Sequence, residues 1–247
     1  GRLTLGYSGV YDNTNQRVWF QVEESGSIGD MYGTGYKKTD DGQFIVNEKG
    51  EFIADNELQK LGNYNPDFIV GVSNNFKYKN WDASFHLDWR QGGILVSRTL
   101  ALAGVGGQLE ETENRPEAGI VVDGVVNTGT EENPVYVQNT TAIPAESYYR
   151  QYYDRNHEEN NTYNASYLKI REFAIGYTFP NTGNKGLLQE GRNLRISLVG
   201  RNLYAFSEIP HFDPEQLAVQ GNQFLSGVED MSYATSRSFG IKVGFNF

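Results

Sequence analysis

The sequence contains no cysteine, so disulfide frameworks, thiolate metal sites and cysteine nucleophiles are excluded. Long apolar runs are also missing: they extend over only a few residues, as at 94–96, whereas a membrane-spanning helix needs roughly 20. Basic residues are in the minority, with 21 Lys and Arg against 31 Asp and Glu, and the formal charge of -10 disfavours nucleic acid as a partner. A chain of this composition could cross a membrane only as strands.

Residues suited to catalysis or metal binding are few. The three histidines, His86, His157 and His211, are too scattered to predict a catalytic triad or a zinc site. We therefore expect no enzymatic activity, no metal ion and no cofactor. The acidic residues of the central segment, among them Glu158 and Glu159, are expected on a solvated surface.

The most regular feature of the sequence is an alternation of apolar and polar residues. It is clearest at 238–247, where every second residue is apolar, and it recurs at 2–8, 68–78, 81–90, 173–179 and 194–198, with a less regular copy at 17–23. A period of two predicts strands with one apolar and one polar face. We therefore predict an all-β fold with seven such strands.

The connections between these strands are unequal in length. Segments 12–16, 79–80 and 180–191 are short, 25–65, 98–166 and 207–234 are long, and the two kinds alternate along the chain. This asymmetry is typical of outer-membrane barrels, which have short periplasmic turns and long extracellular loops. Alternation by itself also fits a secreted, soluble β-sandwich such as a carbohydrate-binding module, which stays the alternative.

Seven strands do not make a complete bacterial barrel. Single-chain bacterial barrels have even strand numbers, and an open sheet would leave unpaired backbone groups in lipid. We therefore expect a section of a larger antiparallel transmembrane β-barrel. With a periplasmic C-terminus, all three long connections lie outside the cell, and Trp81, Trp89 and the terminal Phe247 face lipid as parts of the aromatic girdles.

Several motifs resemble a known family, in the order in which they occur there. They are 27–35 (SIGDMYGTG), 61–71 (LGNYNPDFIVG), 78–87 (YKNWDASFHL), 90–93 (RQGG), 165–180 (ASYLKIREFAIGYTFP), 194–206 (LRISLVGRNLYAF) and 212–215 (FDPE). The chain is similar over nearly its whole length to the C-terminal third of SusC/RagA-type TonB-dependent transporters from Bacteroidetes-type bacteria. The stretch 165–180 is the most specific.

The resemblance implies an outer-membrane barrel of about 22 strands, closed by a plug, that imports a bulky nutrient such as an oligosaccharide or oligopeptide. It also implies a SusD-like surface lipoprotein and the TonB complex as partners, beside membrane lipid. The family's N-terminal extension, TonB-contacting box and plug do not occur within 1–247. We therefore expect the whole chain, 1–247, to be the C-terminal section of the barrel domain.

Two groups of residues are candidates for function in such a barrel. Side chains predicted to face the lumen, which would either tune selectivity or pair with the plug, are Asp82, His86, Asp88, Arg90, Arg195 and Lys242. Those nearest the periplasm are assigned to the plug. For substrate binding the candidates are Arg98 and the loop tyrosines Tyr148, Tyr149, Tyr152 and Tyr153, since tyrosine offers a ring face and a hydroxyl. Alternatively, 144–154 forms a short helix that packs these rings onto neighbouring loops.

Overall fold

A computed structural model describes residues 1–8, 18–179, 193–220 and 223–246. In chain order the strands are β1 (Leu3–Ser8), β2 (Val18–Val22), β3 (Asp30–Tyr36), β4 (Phe44–Val46), β5 (Ala54–Asn63), β6 (Phe68–Tyr78), β7 (Trp81–Gln91), β8 (Ile94–Ser97), β9 (Ile120–Val121), β10 (Gly124–Asn127), β11 (Tyr136–Gln138), β12 (Ala142–Ile143), β13 (Thr162–Asn164), β14 (Tyr167–Phe179), β15 (Asn193–Ser207), β16 (Ala218–Gln220), β17 (Gln223–Leu225), β18 (Val228–Glu229) and β19 (Ser238–Asn246). The helices are α1 (Arg98–Val105) and α2 (Ala145–Tyr152), with two 3-10 turns, Glu110–Glu113 and Glu158–Asn161.

All seven predicted strands are present, as β1, β2, β6, β7, β14, β15 and β19. The predicted turns at 12–16 and 180–191, and Phe247, lie outside the described residues. Within the described ranges, no helix is long and apolar enough to cross a membrane. The chain divides into two units, one made of 1–65, 93–163 and 216–232, the other of 66–92, 164–215 and 233–247.

The second unit is built on a five-stranded antiparallel sheet in the order β19-β15-β14-β7-β6. Strands β6 and β7 form a hairpin through the two-residue turn Lys79-Asn80, in which Lys79 has a positive φ of 54°. Strand β14 pairs along its length with both β7 and β15. Both β14 and β15 are longer than the alternation predicts.

A bulge explains why the alternation hid the full length of β14. Ile170 pairs with Leu87 and Glu172 with His86, so Arg171 is an extra residue relative to β7. Because of the insertion, the apolar residues stand at even positions before the bulge, 168 and 170, and at odd positions after it, 173, 175 and 177. A continuous strand therefore reads as two unrelated patterns.

The five-stranded sheet has two different faces. One face presents large apolar side chains from all five strands, and these stay exposed: Phe76 is 55% exposed, Leu198 55% and Ile241 70%. The opposite face presents charged and small polar residues, and in one row across it Lys77, Asp82, Gly176, Ser197 and Lys242 are register partners. We call these the apolar face and the polar face.

Aromatic rings mark both ends of the apolar face. Trp81 lies 4.8 Å from Tyr177 at one end, and Trp89 lies 4.9 Å from Phe68 at the other, measured between ring centroids. At about 3.3 Å per residue, the two tryptophans are about 26 Å apart along β7. This arrangement matches the aromatic girdles that flank the apolar band of outer-membrane barrels.

The first unit corrects the prediction for the long connections. Segment 25–65 is not one loop, because β3 and β5 lie within it and extend a four-stranded sheet in the order β1-β2-β3-β5. Only residues 64–67 separate β5 from β6, so the strict alternation of short and long connections is wrong. All seven residues of β3 are buried, which leaves no period of two to detect.

Most of 98–166, and residues 216–232 of the segment 207–234, also contribute folded structure to this unit. One core cluster combines Val18, Met31, Val96 and Val228, and a second combines Tyr36, Val46, Phe52, Val122 and Ile143. These clusters join residues from distant parts of the chain. Much of the predicted loop sequence is therefore ordered by cores of its own.

Substitutions on β7 test the assignment of the two faces. The sequence predicts lipid at the apolar face, so Phe85→Lys should reduce the free energy of unfolding from lipid vesicles by about 2–4 kcal/mol. The matched change Ser84→Lys, on the polar face, should reduce the free energy of unfolding much less. Equal losses, measured by denaturant titration in vesicles, would contradict the assignment.

Candidate functional site

The polar face brings together the side chains predicted to line the lumen. Alternation along β7 directs Asp82, His86, Asp88 and Arg90 to this face, and β15 and β19 add Arg195 and Lys242. The face therefore carries both signs of charge at close quarters. Its ion pairs determine which of these groups are still available to a ligand or a plug.

The Asp82 carboxylate forms an ion pair with the Arg195 guanidinium across the intervening strand β14. Gly176 makes room for this pair. A Cβ at position 176 would lie 2.6 Å from the Arg195 Nη2 and 2.9 Å from the Asp82 carboxylate oxygens. Position 176 of the 165–180 motif therefore requires glycine, because any side chain there would displace the ion pair.

The β14 bulge gathers a second and larger charged cluster. Lys169 Nζ lies 2.7 Å from both Asp213 carboxylate oxygens and 2.6 Å from Glu215 Oε2. Arg171 donates to Glu215 Oε2 at 2.5 Å and to Asp88 Oδ2 at 2.6 Å. The motif 212–215 is therefore attached to the motif 165–180 by buried and half-buried ion pairs.

His86 joins this cluster at its edge. Its Nε2 lies 3.1 Å from Asp88 Oδ1, and its Nδ1 lies 2.6 Å from the Ser73 hydroxyl. The sequence predicts both His86 and Asp88 on the lumen side, and the structure brings the two side chains into contact. Arg171 is a member of the cluster that sequence reasoning did not single out.

The charged cluster keeps Glu215 ionised. Burial alone would raise the pKa of Glu215, but hydrogen bonds from Arg171, Lys169 and Tyr167 outweigh burial and lower it to about 2. An acid with a depressed pKa stabilises the folded state above its ordinary pKa of 4.5, and that contribution is lost as the pH falls towards about 2. The attachment of segment 208–217 should thus be insensitive to pH near neutrality.

The predicted substrate residues fall into two groups. Tyr149 and Tyr153 are buried, both 8% exposed, and the Tyr149 hydroxyl donates to the carbonyls of Glu111 and Asn114 at 2.9 and 2.8 Å. They support α2, as the packing alternative expects. Tyr148 and Tyr152 are half-buried and stack at 5.8 Å between ring centroids. Their rings are the more accessible of the four.

Arg98 is the first residue of α1, and its guanidinium lies 3.6 Å from the Asp230 carboxylate. Its side chain is 14% exposed. The structure therefore gives Arg98 an internal acidic partner. To bind a substrate, the Arg98 guanidinium would have to contact the substrate while it stays paired with Asp230.

Glu158 corrects the expectation of a solvated acidic segment. It is 3% exposed, and its Oε2 accepts a hydrogen bond from the Thr34 amide at 3.1 Å. Gly33 permits this approach, since a Cβ there would lie 2.8 Å from the carboxylate. Burial raises the pKa of Glu158 to about 8, so this carboxyl is mostly protonated at neutral pH. Nothing in the local sequence distinguishes it from Glu159, which is only partly buried.

Comparisons with known proteins agree with this architecture. The chain is 24% identical, over 94% of its length, to "TonB-dependent receptor P3" of Formosa agariphila, and covers 23% of that protein. No family model matches the chain. The RagAB peptide importer in its open-open state superposes with a TM-score of 0.50 at 14% identity, over 99% of this chain and 27% of that one. The closed-closed state of RagAB superposes with a TM-score of 0.49 at 16% identity, over 95% of this chain and 24% of that one.

The chain is similar to a section of a SusC/RagA-type TonB-dependent transporter. It spans about a quarter of the length of the relatives that it matches. The outer membrane is the location of this chain. Outer-membrane barrels have an apolar outer face and a polar inner face, and the two faces of the five-stranded sheet differ in the same way.

Lys169→Met should loosen segment 208–217. Removing the buried cation leaves two carboxylates without their shared partner, a loss of about 3 kcal/mol. Amide hydrogen exchange in 208–217 should then accelerate strongly. Lys242→Met is the control, because Lys242 is exposed on the same face and has no ion pair among the described residues. Similar exchange in both variants would contradict the role of the cluster.

The raised pKa of Glu158 predicts that the stability of the first unit depends on pH. The folded unit holds the proton more tightly than the unfolded chain, so its stability should fall as the pH rises from 4.5 to about 8, and level off above. Glu158→Gln should remove this slope, whereas Glu159→Gln should keep it, because Glu159 is partly exposed and paired with Lys38. Thermal melts at several pH values measure it, and a slope that survives in Glu158→Gln contradicts the assignment.

Proposed function

We propose that the protein containing this chain imports a bulky nutrient across the outer membrane, driven by TonB. The observation that carries the proposal is the two-faced five-stranded sheet, with an exposed apolar face between aromatic belts and a charged face opposite. Such a wall separates lipid from a polar lumen. The similarity to a TonB-dependent receptor over 94% of the chain supports the same function.

The cargo that we propose is an oligosaccharide or an oligopeptide. The solved structures that resemble the chain are named as a peptide importer, and the loop residues of this chain suit either cargo. Tyr148 and Tyr152 are the proposed contacts, because their stacked, half-buried rings offer a flat surface to a sugar ring or an apolar side chain. Tyr149 and Tyr153 hold α2 in place, and Arg98 is the first residue of α1, the helix that contacts α2.

A SusD-like surface lipoprotein and the TonB complex complete the proposed system. The chain itself, 1–247, is proposed to be the C-terminal section of the barrel domain. Asp82 and Asp88 already have cationic partners within the sheet, whereas Lys242 has no ion pair among the described residues. Lys242 is therefore the lumen residue that we assign to an acidic group of the plug. The charge pattern fits no enzymatic site, and we propose none.

The soluble β-sandwich fits the structure less well. A sandwich buries the apolar face of each sheet against a second sheet, whereas the apolar face here is exposed on all five strands. An uncovered face of this size would aggregate in water. Import through the outer membrane accounts for the same face without further assumptions.

Uptake by whole cells tests the proposed function. Cells that produce the protein should accumulate labelled oligopeptides or oligosaccharides only when TonB is present. The double change Tyr148→Ala and Tyr152→Ala should weaken substrate binding by about 1 kcal/mol, roughly five-fold in affinity. Tyr136→Ala, at an exposed tyrosine elsewhere in the same unit, is the control. Accumulation that is independent of TonB would refute the proposal.

A further inference from the structure

The C-terminal part of strand β15 has a strand on only one of its two edges. Strand β14 pairs with β15 up to Ser207, whereas the pairing with β19 ends at Arg201 and Ser238. Among the described residues, no strand takes the place of β19 beside 203–207. Alternate residues of a strand direct their N–H and C=O groups to the same edge, so this stretch presents a short row of backbone donors and acceptors. We call 203–207 the open edge.

A cavity of about 470 Å³ borders the open edge. Ala205 and Ser207 of β15 line one side, and the other side is lined by 234–237, which run past β15 without forming a strand. The cavity lies on the polar face, because Lys169, the register partner of Ala205, also lines it. Binding sites for small ligands have volumes of about 300–1,000 Å³. The open edge therefore faces a space of suitable size, which this chain encloses on both sides.

Hydrogen bonds hold the two walls of the cavity apart. Asn202 reaches the Ser236 carbonyl with its side-chain Nδ2, at 3.3 Å, and not with its backbone. Thr235 donates to Asp213 Oδ2 at 2.8 Å, and Asp213 is in turn paired with the buried Lys169. The walls are thus separated by at least the length of a side chain.

The backbone of the cavity lining is strained at two positions. Five residues other than glycine have a positive φ in the described ranges, and two of them, Asn202 at 50° and His211 at 69°, line this one cavity. Such conformations cost free energy and cluster at functional sites. Their concentration here indicates a ligand site.

The backbone groups of the open edge select a polypeptide as the ligand. An extended peptide adds to such an edge as a further strand, through alternating main-chain hydrogen bonds. An oligosaccharide has no comparable row of N–H and C=O groups. A peptide antiparallel to β15 runs in the same direction as β19, so its C-terminus must lie next to Ser238, where β19 begins.

A cationic side chain is located at this end of the open edge. Arg237 directly precedes β19, lines the cavity, is exposed and has no ion pair among the described residues. Lys169 and Asp213 also line the cavity, but they neutralise each other at 2.7 Å. The Arg237 guanidinium is therefore the charge that a ligand meets, and its planar donors match a carboxylate.

We propose that the open edge binds an oligopeptide by strand addition, with the peptide antiparallel to β15 and its C-terminal carboxylate at Arg237. At about 3.3 Å per residue, the open edge pairs with about four residues of the peptide. Ile209 and Phe212, which also line the cavity, supply apolar contacts to its side chains. The inference rests on the proposed import function and narrows the two cargo classes named there to the oligopeptide.

Isothermal titration calorimetry of the detergent-solubilised, full-length protein tests the proposal. The probes are tetra-alanine, its C-terminal amide, tetra-alanine methylated at its backbone nitrogens, and maltotetraose. Tetra-alanine should bind, its amide should bind about ten-fold more weakly because a charge-assisted hydrogen bond is lost, and the other two probes should not bind measurably. Undiminished binding of the methylated peptide would refute strand addition, and no binding of tetra-alanine would overturn the whole proposal.

Variants test the assignment of the carboxylate. Arg237→Gln should abolish the difference between tetra-alanine and its amide, whereas Arg237→Lys should keep most of it. Lys49→Gln, at an exposed lysine of the first unit, is the control and should leave both affinities unchanged. A preference for the free acid that survives in Arg237→Gln would contradict the role of Arg237.

Amide hydrogen exchange locates the bound peptide. Exchange in 203–207 should slow when tetra-alanine is added, whereas exchange in β11, an exposed edge strand of another sheet, should not change. Unchanged exchange in 203–207 would rule out the open edge as the site. Full protection of these amides before any peptide is added would show that another part of the protein occupies the edge, and would also overturn the proposal.

The inference and the import function fail in different ways. Uptake of oligosaccharides that depends on TonB, without binding of tetra-alanine, would refute the peptide site and leave the import function intact. Binding of tetra-alanine by a protein that imports nothing in a TonB-dependent manner would refute the import function instead.

Discussion

The structure depends on a constraint that lipid imposes: every backbone polar group within the membrane must find a partner inside the protein. The five-stranded antiparallel sheet meets this constraint between its strands and leaves the side chains free to differ from one face to the other. Because successive residues point to opposite sides, a strand such as β7 presents Trp81, Phe85 and Trp89 on the apolar face of the sheet, and Asp82, His86 and Asp88 on the polar face. Both the girdles and the charged face follow from this one geometry.

The bulge in β14 is the place where that geometry is modified for a purpose. By inserting Arg171, the strand puts Lys169, Arg171 and Glu172 on the polar face within four residues of sequence. This concentration of cationic and anionic groups attaches the segment that contains Asp213 and Glu215. Buried ion pairs add little net stability, but they are costly to break, so they fix the position of that segment.

How much the sequence predicts depends on how different the two sides of an element are. Strands β6, β7 and β19 have an apolar side and a polar side, so alternation locates them to within a few residues. Strand β3 is buried on both sides and β5 is largely polar, so neither produces a period of two, and the alternation predicts a loop for both. The pairing of Lys169 with Asp213 joins residues 44 positions apart, and no local pattern contains that information. The sequence predicts Glu158 at the surface because acids usually lie there, whereas its close approach to Gly33 and the Thr34 amide buries it.

The assignment of lipid and lumen sides to alternate residues is the central claim, and the absence of cysteine makes it directly measurable. Single cysteines would be introduced along β7, from Trp81 to Arg90, in the protein embedded in outer membranes, and each would be exposed to a charged, water-soluble thiol reagent. The account predicts labelling with a period of two, strong at Ser84→Cys and His86→Cys and weak at Phe85→Cys and Leu87→Cys. Labelling without this alternation, or with the opposite phase, would contradict it.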